Sequence, residues 1–234
     1  MTHHQDKTLA RAAAQMAFAA GSLLALLCSI VLATGVSQQT FERFMPPASY
    51  ASALLEQASA LRLIVAIDDV FVVTYVAATL LLCASLAGRA SRVLLQVVLT
   101  AALLGGVLDL IENHHILAML RAAEFGAEPS VGQIEAQVAA SSLKWMLGHA
   151  AFALLAFALE LPAKLAAAVR ASLLGFQLPL GAATLVVTQE GWLSLLSWAR
   201  YGSLLSGFFA ISWLMGGASR PPSAYDAVGS SAPA

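Results

Sequence analysis

Apolar runs alternate with short polar breaks along almost the whole chain. The runs cover residues 12–36, 61–87, 93–119, 143–161, 171–188 and 192–215. A helix needs about 20 consecutive apolar residues to cross a hydrocarbon core of roughly 30 Å. The pattern therefore predicts an all-α fold, a polytopic transmembrane helical bundle of six spans over residues 12–215. Residues 1–11 form a polar leading segment, and 216–234, rich in Gly, Ser, Pro and Ala, read as a disordered tail. The first run has the charged flank of a signal peptide, and Ala33-Thr34-Gly35 imitates a cleavage site. It exceeds the roughly 7 to 15 apolar residues of a signal sequence, however, and so reads as a retained span. The fifth run is short and holds Gln177 and Pro179 between Gly175 and Gly181, which makes a broken or re-entrant helix its alternative.

The breaks carry their own signals. Pro46-Pro47 forbids a continuous helix between the first two spans. Beyond it, Tyr50, Leu54, Leu55, Ala58 and Leu61 recur at helical spacing, predicting a short amphipathic helix on the membrane surface. Ser130 with Gln133 three residues on is a capping box, and Val131, Ile134 and Val138 form one apolar edge, so a helix starts there and runs into the fourth span. Gly105-Gly106 predicts close approach of a neighbouring helix. Gly202, Ser206 and Ala210, at small-xxx-small spacing, predict a packing seam.

Composition agrees with a membrane solvent: 59% hydrophobic residues, 11% charged, and a mean hydropathy of +0.80. A net charge of −1 with scattered basic residues excludes a nucleic-acid partner. Cys28 and Cys83 fall in different runs without a Cys-x-x-Cys partner, which argues against a disulfide or redox centre. With six spans, Lys7, Arg11, Arg89, Arg92, Lys164, Arg170 and Arg220 share one side, and only Arg43 and Arg121 fall in loops on the other. The positive-inside rule then makes both termini cytoplasmic, in a bacterial cytoplasmic membrane.

This orientation changes the meaning of the ionisable residues inside the spans. Asp68 and Asp69 on the second span lie roughly 10 Å below the outer boundary at 1.5 Å per residue. Asp109 to His115 end the third span, Lys144 and His149 begin the fourth, and Arg200 lies in the outer half of the sixth. At about 100° per residue, Asp109, Glu112, Asn113 and Ile116 share a face, with His115 at its edge and His114 turned away. Charges in a bilayer face the bundle interior and pair. We therefore expect one outward-facing pocket lined by Asp68, Asp69, Asp109, Glu112, His115, Lys144, His149 and Arg200, with four carboxylates nearly balanced by Arg62, Lys144 and Arg200.

Three chemistries fit these residue types. A ligand-binding or transport pocket would use Asp68, Asp69, Asp109, Glu112, Lys144 and Arg200 for proton coupling and for a small or amphiphilic ligand. A metal site would take Glu112 and His115, spaced Glu-x-x-His, with His149, and could activate water for intramembrane hydrolysis. In the third reading the charges pair only to fix helix register or to hold a partner subunit or a second copy. Trp145, Trp192 and Trp198 read as interface-belt residues, and Tyr75 as a core aromatic. No Gly-x-Ser-x-Gly elbow, phosphate-binding glycine loop or His-Glu-x-x-His occurs; the sequence leaves the cofactor unknown, with bis-histidine haem ligation by His115 and His149 a minor alternative.

The combination Asp69-x-Phe71-x-x-x-Tyr75, Asp109-Leu110-x-Glu112-Asn113 and Leu143-Lys144-Trp145 resembles a loose group of uncharacterised bacterial polytopic membrane proteins. In that group an Asp-x-x-Glu-Asn span is followed by a Lys-Trp or Lys-Phe span. The resemblance covers the second to fourth spans. It implies that the carboxylates and the lysine belong to one constellation, and it brings no activity.

Overall fold

A computed structural model describes residues 3–159, 167, 170–171, 173–187 and 190–218. The described chain is helical, without a β-strand among the described residues. Helix α1 (His3–Thr34) stops at Gly35, whose φ of 70° reverses the chain. A 3-10 turn, Gln38–Glu42, follows, capped by Ser37. Helix α2 (Pro47–Glu56) begins with Pro47 in its first turn, where the missing N–H costs nothing. Helices α3 (Ala58–Leu86) and α4 (Arg92–Glu124) are joined by a tight turn at Gly88, φ 89°. Helix α5 (Val131–Ala158) starts with the expected capping box, Ser130 and Gln133 bonding to each other's backbone N–H groups.

Among the described residues, four helices are long and apolar enough to cross a membrane: Asp6–Thr34, Ala58–Leu86, Arg92–Glu124 and Val131–Ala158. Large apolar side chains such as Phe18, Val73, Leu104 and Ile111 point outward from them, as a lipid-facing surface requires. The fifth run contains a π-helical turn, Leu173–Gln177, leading into α6 (Leu178–Val186). Pro179 offers no N–H to the preceding turn, and the helix widens just ahead of it. The last helix, α7 (Glu190–Ala218), has the length to cross but carries Arg200 and several serines in its first half. The predicted tail, like 160–166, falls outside the described residues except for its first three positions.

The packing is antiparallel. One end of the bundle gathers Ala10 and Ala14 of α1, Leu86 of α3, Leu95 of α4, Leu159 just past α5, and Met215 of α7. The opposite end is closed by α2, whose Tyr50 and Leu54 bury against Phe41, Leu61, Ile116 and Ile134. The amphipathic helix expected on the membrane surface thus serves as a lid over the ends of α3, α4 and α5. Between the ends, α1, α3 and α7 meet through Leu24, Phe71 and Phe208.

Glycine allows one of the close approaches that the sequence predicts. A Cβ at Gly106 would sit 2.6 Å from Val76 Cγ2, so α3 and α4 touch there. The seam expected from Gly202, Ser206 and Ala210 does not form: these residues are exposed, and a Cβ at Gly202 would meet nothing within 4 Å. α7 packs instead through Phe208 and Phe209, the latter against Gly21 of α1, because large aromatic rings bury more area than small side chains.

Candidate functional site

The polar groups of α3, α4 and α5 do converge, and the 3-10 turn joins them. Lys144 Nζ donates to Asp109 Oδ1 and Glu112 Oε1, each at 2.8 Å, and lies 3.5 Å from Glu42 Oε1. Glu112 is completely buried, so each of its oxygens must be answered from within the protein. Oε1 accepts from Gln38 at 3.1 Å as well as from Lys144, and Oε2 accepts from the Ser141 hydroxyl at 2.5 Å. Asn113, equally buried, donates to Asp68 Oδ2 at 2.8 Å and Asp69 Oδ1 at 2.9 Å, and its own carbonyl accepts from Gln38. Tyr75 closes the inner edge, its hydroxyl 3.4 Å from Asp109 Oδ2.

Arg200 enters this network through Glu42. Its Nη2 lies 3.5 Å from Glu42 Oε2, and its guanidinium carbon stands 3.4 Å above the centroid of the Trp145 ring. The same indole donates its N–H to Glu42 at 3.1 Å. Glu42 lies outside the spanning helices. Burial pushes its carboxyl's pKa up, but Lys144, Arg200 and the hydrogen bonds from Trp145 and Lys144 outweigh this and hold it below the ordinary 4.5. In the lid, burial first and the nearby Glu112 second push the Tyr50 phenol upward, and its hydroxyl donates to the Phe41 carbonyl at 3.2 Å.

Not every expected residue belongs here. Arg62 pairs with Glu124 at 2.6 Å on the exposed rim and leaves the inner network with two cations. His114 is turned outward as expected, 69% exposed and 3.8 Å from Asp69. The set Glu112, His115 and His149 is not assembled. His115 Nδ1 lies 3.0 Å from Gln137, His149 Nδ1 lies 2.7 Å from Gln177, and Glu112 is occupied by Lys144, Gln38 and Ser141. Among the described residues no three His, Cys, Asp or Glu side chains are grouped to hold a metal ion. Helix packing explains this: α4 presents Glu112 toward α5 at Lys144, whereas His149 lies further along α5, where the π turn brings in Gln177.

A cavity of about 120 Å³ runs down the middle of the bundle, far more than the ~10–15 Å³ that one water needs. Its wall has two chemistries. At one end stand Gln38, Glu42, Asp68, Asp109, Lys144 and His149. Leu24, Phe71 and Phe208 line its middle, and toward the other end the wall is made by Leu82, Val98, Leu155 and Ile211. Asp68 and Leu82 are fourteen residues apart on α3, so the polar and apolar ends are separated by roughly 20 Å at 1.5 Å per residue.

Sequence reasoning missed Glu42, Gln38 and Ser141, and assigned Trp145 to a membrane interface although it is half-buried beside Arg200. A charge argument could have found Glu42. Arg200 lies inside its helix and needs a carboxylate at its own level. The polar turn between the first two spans holds one that is free to move there. Comparison of the chain with protein-family models, curated proteins and solved structures finds no match.

Proposed function

We propose that this chain is an integral membrane protein that holds an amphiphilic ligand in the central cavity. The polar part of the ligand would lie against the Glu42, Asp68, Asp109 and Lys144 end, and its apolar part between α1, α3, α4, α5 and α7. The observation that carries this reading is the division of one continuous cavity wall into a polar and an apolar end. A cavity serving only helix packing has no reason to remain open, since closing it would gain dispersion contacts along its whole length.

The reading includes six crossings of a bacterial cytoplasmic membrane with both termini cytoplasmic. In its support, Ala10 and Met215 share one end of the bundle with Leu86 and Leu95, which flank the basic connection Arg89-Ala90-Ser91-Arg92. The polar end of the cavity then faces outward. Labelling of a cysteine introduced at Ser230 from the periplasmic side would overturn this orientation.

Ligand binding is tested with purified protein in phosphatidylcholine nanodiscs, using radiolabelled single-chain amphiphiles and empty nanodiscs as background. Saturable binding of at least one of dodecylamine, dodecanol and dodecanoate is expected. It should be accompanied by slower alkylation of Cys28, a cavity-wall thiol, in a Cys83→Ser background. If none binds saturably, the network is a packing device, and the reading fails. Proton-coupled transport of the ligand is the extended form of this proposal. It predicts proton flux in proteoliposomes upon ligand addition, abolished by Glu112→Gln.

A further inference from the structure

The polar end of the cavity is unevenly furnished with donors and acceptors. Four carboxylates, Glu42, Asp68, Asp109 and Glu112, face two cations, Lys144 and Arg200. Both cations are already engaged: Lys144 by three carboxylates, Arg200 by Glu42 and by the face of Trp145. Asp68 differs from the other three. It lines the cavity and receives one hydrogen bond, from Asn113, and among the described residues no Lys, Arg or His lies within ion-pair distance of it. A desolvated site with an excess of negative charge must take up protons or a cation.

His149, further along the wall, does not change this balance: its Nε2 has no hydrogen-bond partner among the described residues but is buried and offers the cavity no surface. Arg200 Nε, also unpartnered, is a donor but lies outside the cavity wall. Tyr75 and Tyr201 also line this part of the wall, and aromatic rings attract a cation and not an anion where it reaches their faces.

We infer that the headgroup taken at this end is a protonated amine, so that the ligand is a cationic amphiphile whose ammonium pairs with Asp68. This rests on the reading of the cavity as an amphiphile site. The ammonium brings what Asp68 lacks among the described residues, a cation of its own. A carboxylate or phosphate headgroup would add to the excess charge and leave Asp68 unanswered.

The test compares three probes of one chain length in the nanodisc binding assay: dodecylamine, dodecanol and dodecanoate. Dodecylamine should bind at least about tenfold more tightly than the other two, the scale of one charge-assisted hydrogen bond. Asp68→Asn, which keeps the acceptor for Asn113 while removing the charge, should remove that preference with little change in thermal stability. The comparison on the unaltered protein needs no variant, so a poorly folding Asp68→Asn leaves the test intact. Equal saturable binding of all three overturns the headgroup assignment and leaves the amphiphile reading standing. Tightest binding of dodecanoate overturns it in favour of an anion. Absence of saturable binding by any probe removes both.

Discussion

Lys144 sets its ammonium 2.8 Å from Glu112, and the carboxylate it meets has no exposed surface. Two desolvated charges at this distance stand or fall together, since either one alone would keep the cost of burial without its partner. The pair ties α4 to α5, and through Gln38 and Glu42 it ties both to the turn after α1.

Removing the lysine should therefore be severe. Lys144→Met leaves Asp109, Glu112 and Glu42 facing one another and should cost about 3–5 kcal/mol of stability. Lys144→Met combined with Glu112→Leu should recover part of that loss, because a buried apolar pair carries no desolvation cost. Unfolding of the detergent-solubilised variants measures both. A loss under about 1 kcal/mol for the single variant would mean that water reaches the site freely.

Acid should act through Glu42. Its carboxyl is held below the ordinary 4.5 by Lys144 and Arg200 in spite of burial, so its contribution is fully present above the unfolded-state value and is lost as pH falls through the lowered folded-state value. Melting temperatures measured between about pH 6 and pH 3 should fall more steeply for the wild type than for Glu42→Gln. Parallel curves would show that the charge on Glu42 contributes nothing.

The stacked pair of Arg200 and Trp145 can be examined by a double-mutant cycle. Arg200→Lys replaces a planar cation with a point charge, and Trp145→Leu removes both the ring face and the N–H to Glu42. A coupling of about 0.5–2 kcal/mol is expected. Trp145→Phe, which keeps a ring but not the N–H, should fall between. Additive effects would mean that the 3.4 Å contact carries no energy.

The two adjacent glycines of α4 should respond differently. Gly106→Ala places a methyl 2.6 Å from Val76 Cγ2 and should cost about 1–3 kcal/mol, with Val76→Ala restoring much of it. A Cβ at Gly105 meets Leu147 Cβ at an ordinary 3.7 Å, so Gly105→Ala should be neutral or slightly stabilising through helix propensity. Equal losses at both positions would contradict the close contact of α3 with α4.

Much of the fold was legible because its signals are local. Hydrophobic run length marked the four long apolar helices, Pro46-Pro47 marked the break before α2, and Ser130 with Gln133 marked the start of α5. The face shared by Asp109, Glu112 and Asn113 followed from helical periodicity, and the structure buries Glu112 and Asn113 together. Periodicity along one helix, however, carries no information about the rotation of its neighbour. Small residues at 202, 206 and 210 suggested a seam that forms elsewhere on α7, and His115 and His149 shared a depth without sharing a partner.

The sequence by itself determined that this chain is helical, apolar and interrupted by ionisable groups at one level, because length, hydropathy and the cost of burying charge act residue by residue. Only the tertiary structure decided which charges meet. Lys144 could have paired with any carboxylate at its depth. The 3-10 turn that carries Gln38 and Glu42 under the lid, together with the diversion of Arg62 to Glu124, chose Asp109, Glu112 and Glu42 and left Asp68 facing the cavity with no cation of its own among the described residues. Such pairing depends on how helices rotate and where a loop folds back, and these are set by packing over the whole bundle.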